Sequence, residues 1–224
     1  MTTTLQTTTI SFPEIKLRTR DSHKLRGYFG NLFREHSPML HNHFEDGRSR
    51  YEYAKVQYKV LDETPYLVGV GAEAARLLTE LFLKINELDI DGERFTVFAK
   101  NIEIRNWTIG VADTLQTYRF DTLWMPLNQR NYATYIGYED TQQADQLRGI
   151  ATQNILSFFD NFGLWLPPEV RVMLMLQNIK ATETNFKNNR MLAFTGQFVT
   201  NALLPDFVGL GKSVSRGFGS IRKI

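Results

Sequence analysis

Two hydrophobic periods take turns along the chain. Over residues 53–61, YAKVQYKVL, Ala54, Val56, Tyr58 and Val60 alternate with Lys55, Gln57 and Lys59. A period of two predicts a strand with one apolar face and one polar face. Before it, Leu25, Tyr28, Phe29, Leu32 and Phe33 recur at i, i+3, i+4, i+7 and i+8, one face of a helix that Asp21 or Ser22 can cap. The weakly alternating SFPEIKLRT (11–19) predicts a strand ahead of that helix. After residue 61, a turn at 62–65 leads into the apolar strand YLVGV (66–70). A second helix then places Ala74, Leu77, Leu78, Leu81, Phe82 and Ile85 on one face, and RFTVFAKNIEIR (94–105) predicts a further strand. The order is β-α-β-β-α-β, the ferredoxin-like split βαβ motif.

The second half starts in the same way. TYRFDTLWMPL (117–127) predicts a strand. Helical sequence follows, broken near Gly137, with Leu147, Ile150, Ile155, Phe158 and Phe159 on its longer piece. Pro167-Pro168 stops it. Residues 169–184 and 190–204 form a predicted hairpin turned at Lys187-Asn188-Asn189, and GSIRKI (219–224) predicts a last strand. A glycine-rich segment stands where the first half has its second helix. The expected architecture is α+β, two tandem ferredoxin-like (βαββαβ) domains over 1–110 and 111–224, joined near Asn106–Gln116. The parallel lies in element order; no repeat is visible residue by residue.

Composition sharpens this picture. Of 224 residues, 42% are apolar and 12% aromatic, enough for a packed core and against global disorder. The absence of cysteine excludes disulfides and thiolate metal sites, and is compatible with a reducing, cytoplasmic setting. The opening MTTTLQTTT has neither the basic nor the apolar part of a signal peptide, and no apolar run reaches the ~18 residues of a membrane span. The net charge is only +2. Positive charge nevertheless gathers near both ends: ten Lys and Arg against five acids over 16–59, and six against Asp206 alone over 184–224. Such a distribution suits either a polyanion-binding cleft or an ordinary solvated surface.

The last residues read DFVGLGKSVSRGFGSIRKI (206–224). Gly211-Lys212-Ser213 suggests a nucleotide-binding P-loop, but that loop needs a glycine five residues before Gly211, where Asp206 stands. Only eleven residues follow Ser213, too few for the helix and strand the P-loop also requires. Two alternatives remain. The glycines can let adjacent N–H groups converge on an anion beside Lys212, Ser213, Ser215 and Arg216, or they can simply permit a tight turn between packed elements.

All four histidines fall between 23 and 43, two of them as His41-Asn42-His43. A metal site would need further ligands, for which His36, Glu45 and Asp46 lie nearby in sequence. Exposed loop residues without a function are a second reading. Acid–base catalysis is the third, since imidazole with a pKa of ~6.5 can give or take a proton near neutrality. His23 and His36 flank the first helix and read as cap or surface residues.

The stretch GLGKSVSRGFG (209–219) closely resembles the C-terminal glycine-rich loop of the CRISPR repeat-RNA endoribonucleases of the RAMP superfamily. LRGYFGNLF, SPMLHNHF and YEYAKVQYKVL are similar to the branch associated with subtype I-B systems. The resemblance implies metal-independent cleavage of precursor CRISPR RNA within repeats, without a cofactor, leaving a 2′,3′-cyclic phosphate and a 5′-hydroxyl. It implies His41 and His43 as the catalytic pair. Lys59 is a candidate phosphate-stabilising cation, or else a solvated lysine on the polar face of its strand. RNA contacts are expected from Gly209, Gly211, Lys212, Ser213, Ser215, Arg216, Gly217, Gly219 and Arg222. The implied partner is CRISPR repeat RNA. A CRISPR effector complex and a homodimer stay open as further partners, as does a non-catalytic RAMP-type RNA-binding subunit.

Overall fold

Threonines build the first strand. β1 is Thr2–Ser11, and it buries Leu5, Thr7, Thr8 and Ile10. β-branched threonine suits a pleated surface. The strand expected at 11–19 is not there. Residues 12–18 have no regular structure in the computed structural model, which describes residues 1–32, 53–186 and 189–224. Phe12, Ile15 and Leu17 are nevertheless buried, so their spacing reports packing without a hydrogen-bond ladder.

The chain divides into two units. The first comprises Thr4–Trp107 and Val214–Gly217. Its elements are β1, α1 (Ser22–Leu32), β2 (Val56–Leu61), β3 (Thr64–Val70), α2 (Ala72–Phe82), the small hairpin β4 (Glu87–Ile90) and β5 (Glu93–Thr96), and the start of β6 (Asn101–Phe120). The strand order is β2-β3-β1-β6, the ferredoxin-like arrangement. Asp62 and Glu63, both at positive φ, form the two-residue connection that sets the β2–β3 register from Leu61↔Thr64 to Val56↔Gly69. α2 buries Ala74, Ala75, Leu77, Leu78 and Leu81, close to the face its periodicity predicts. Phe29 of α1 stacks on Tyr58 at 5.9 Å and on Phe12 at 6.3 Å.

β2 departs from expectation. All six of its residues are buried, and Gln57 and Lys59 are 0% exposed. The polar side of this strand therefore does not face water, and Lys59 is not a solvated lysine. Gln57 shows how such a face is tolerated: its amide donates to the Tyr53 hydroxyl at 2.8 Å and to the Ala54 carbonyl at 3.0 Å.

The second unit comprises Met1–Thr3, Thr108–Ser213 and Phe218–Ile224. It contains the end of β6, α3 (Gln129–Tyr135), α4 (Asp140–Asn161), β7 (Leu174–Phe186), β8 (Asn189–Leu203) and β9 (Ile221–Lys223). β8 and β9 both pair with β6, and β7 pairs with β8, which repeats the ferredoxin-like order. The helix break falls between Tyr135 and Asp140, around Gly137 as the sequence indicates. Phe120, Trp124, Phe194 and Phe198 form the aromatic core; Phe120 and Trp124 stack at 5.1 Å. Over Asn106–Gln116, where the sequence reading joins the two domains, the chain is continuous strand. β6 runs for 20 residues, giving one unit its last strand and the other its first. Among the described residues, no helix is long and apolar enough to cross a membrane.

Candidate nucleic-acid interface

The glycine segment closes on itself before it reaches any ligand. Gly209 bridges Ser220, the Leu210 N–H donates to the Gly219 carbonyl at 2.9 Å, and the Gly219 N–H donates to Leu123 at 2.8 Å. The Lys212 N–H donates to the Met125 carbonyl at 3.0 Å, and the Gly217 N–H to Val214 at 3.2 Å. Gly211 and Gly217 adopt φ of +87° and +91°. A Cβ on Gly211 would lie 2.9 Å from the Trp124 ring nitrogen, and one on Gly217 would lie 2.6 Å from the Ser22 hydroxyl. These glycines thus permit a tight, packed turn. The amides of Leu210, Lys212, Gly217 and Gly219 are spent inside the protein.

The loop's residues divide between the two units. Gly209, Gly211, Lys212, Ser213 and Gly219 lie in the second; Ser215, Arg216 and Gly217 lie in the first, where the short turn Val214–Arg216 packs against α1 and β2. Lys212 is exposed, and partial burial lowers its pKa from the ordinary lysine value. Arg222 has a structural role. It pairs with Asp121 at 2.8 Å, which also holds Arg119 at 2.7 Å, and its guanidinium lies 5.0 Å from the Phe207 ring centre.

Folding adds a residue that sequence reading missed. Arg26 lies one helical turn beyond Ser22 on α1, and the charge of Arg216 reaches it. Burial, and then repulsion from Arg216, lower the Arg26 pKa; burial lowers that of Arg216. Arginine still stays protonated at neutral pH. Burial raises the Tyr58 pKa strongly, against the pull of Arg26, so its phenol is neutral. Two half-buried guanidiniums whose charges act on one another favour a bound anion nearby. No spacing signal could have paired residues so far apart in sequence.

Lys59 follows Tyr58 on β2, so the two side chains point to opposite faces of the strand. His41 and His43 lie outside the described residues, as does His36. His23 is exposed at the start of α1, with Nδ1 2.7 Å from the Arg20 carbonyl oxygen.

Tandem ferredoxin-like units and a closed glycine-rich loop define the class of fold to which this protein belongs. The Cas6b N-terminal domain model matches residues 3–108 and the Cas6b C-terminal domain model matches residues 110–224. The chain belongs to the Cas6b family. A crystal structure of a Cas6b superposes with a TM-score of 0.92 at 30% identity, over 99% of this chain and 100% of that one. A second, described as a CRISPR RNA processing endoribonuclease Cas6b, gives 0.80 at 28% identity over the same shares. An uncharacterised protein of Methanocaldococcus jannaschii is 28% identical over 145 residues, 65% of this chain and 97% of that protein.

Proposed function

We propose that this protein is a cytoplasmic endoribonuclease that cuts precursor CRISPR RNA within its repeats, without a metal ion. The observation that carries the reading is likeness over 99% of the chain, at 28% identity, to a solved CRISPR RNA processing endoribonuclease. RNA supplies its own nucleophile. The 2′-oxygen attacks the adjacent phosphorus as His41 takes its proton, the P–O5′ bond breaks, and His43 protonates the departing 5′-oxygen. The products are a 2′,3′-cyclic phosphate and a 5′-hydroxyl. Arg216 and Lys212, with Arg26, position the phosphates. Lys59, within β2, is assigned to the same phosphates.

Incubating the protein with its genome's repeat RNA in excess EDTA tests this. The wild type should give the cyclic-phosphate product. His41→Ala should lose about 10²–10⁴-fold in single-turnover rate, the range for one proton transfer, and still bind the RNA. Cleavage that needs added divalent metal contradicts the mechanism. Tight binding by the wild type with the RNA left intact supports the non-catalytic subunit instead.

A further inference from the structure

A cavity of about 340 Å³ opens in the second unit beside the hairpin β7–β8, lined by Leu127, Asn128, Gln129, Tyr132, Arg190, Met191 and Leu192. None of its lining residues belongs to the glycine loop, although Met125, two residues before Leu127, accepts from the Lys212 N–H. Leu127, 3% exposed, gives it a fixed apolar wall, and Met191 and Leu192 are half-buried beside it. Tyr132, which lines the cavity, is 44% exposed, so part of its ring is open to solvent. The Asn128 side-chain oxygen accepts from the Asn131 N–H at 2.7 Å, which fixes that carboxamide and leaves its amino group as the end able to donate. Arg190 pairs with Glu183 at 2.8 Å, both side chains well exposed. Such a surface pair contributes little and exchanges readily for a phosphate.

The chemistry that recognises an unpaired nucleotide is thus gathered in one place: an aromatic face, an apolar wall, two carboxamides and a cation. Single-stranded bases are held by stacking on aromatic rings, with their edges read by polar groups and their backbone by basic ones. The volume lies at the lower end of the ~300–1,000 Å³ typical of ligand sites, which suits one nucleotide rather than a longer segment. A base kept in a duplex cannot enter. We infer that this cavity binds one unpaired nucleotide of the substrate RNA, stacked on Tyr132 with its phosphate at Arg190. The inference rests on the RNA-processing reading and adds a contact made by residues outside the glycine loop.

The experiment uses repeat RNA made uncleavable by a single 2′-deoxy nucleotide on the 5′ side of the cut phosphate, with single abasic sites scanned through its unpaired positions. Kd is measured by fluorescence anisotropy for the wild type, Tyr132→Ala, Tyr132→Phe and Arg190→Ala. At one position the abasic site should weaken wild-type binding by roughly 5- to 150-fold, the range for one stacked base. Tyr132→Ala should weaken binding of the intact RNA by a similar factor, and the abasic site should then cost it almost nothing more. Tyr132→Phe should bind as the wild type does, and Arg190→Ala should lower the salt slope by about 0.7. Wild-type affinity in Tyr132→Ala, or additive losses at every position, overturns the pocket. Cleavage of the natural RNA, followed alongside, separates the two readings: an uncut RNA with the coupling intact removes the processing reading alone.

Discussion

Gly219 has φ +64°, and a Cβ there would run into the Leu210 carbonyl. Both strain and collision then act against any side chain. Gly219→Ala should destabilise the protein by about 2 kcal/mol or more, read as a lower urea midpoint at unchanged m. Gly149 is the control. It lies exposed within α4 with open space around its Cβ position, so Gly149→Ala should stabilise by about 0.5–1 kcal/mol. Equal stability of the two variants would remove the packing explanation of the loop. From the sequence the glycines were legible as special, but whether they serve a ligand or a tight turn was not. That depends on Leu210, Trp124 and Ser22, which the fold brings to them.

At the scale of the element, α1 is held at its start by Asp21. Its carboxylate accepts from the Arg18 N–H at 3.2 Å and pairs with Lys24 at 3.0 Å. Burial alone would raise its pKa, but the hydrogen bonds from Lys24 and Arg18 outweigh burial and lower it. A lowered folded-state pKa means a contribution to stability that is full above the unfolded value, near 3.8, and lost as pH falls through the folded one. Asp21→Asn should cost about 1–2 kcal/mol at neutral pH and leave urea stability less dependent on pH below about 4. An unchanged acid limb would contradict this. The helices were largely legible because α2 keeps a clean period, with Ala74, Leu77, Leu78 and Leu81 buried together. β1 was hidden because threonine reads as polar while serving as a strand former. β2 misled because alternation shows which residues share a face, not what covers it.

For the whole molecule, element order and the glycine motif were enough to indicate tandem ferredoxin-like units and the RNA-processing family. The reach of Arg216's charge to Arg26 was not, since it depends on the turn Val214–Arg216 packing with α1. If these cations hold RNA phosphates, Arg26→Ala, Lys212→Ala and Arg216→Ala should each reduce the slope of log affinity against log salt by about 0.7. Unchanged slopes would remove them from the interface. In the proposed mechanism these residues only hold the RNA; the chemistry assigned to His41 and His43 requires the RNA's own 2′-hydroxyl. The most direct measurement is therefore cleavage, in EDTA, of repeat RNA with a single 2′-deoxy nucleotide on the 5′ side of the cut phosphate. The account predicts RNA that is bound with near-native affinity and left uncut. Cleavage of that RNA at the natural position would contradict it.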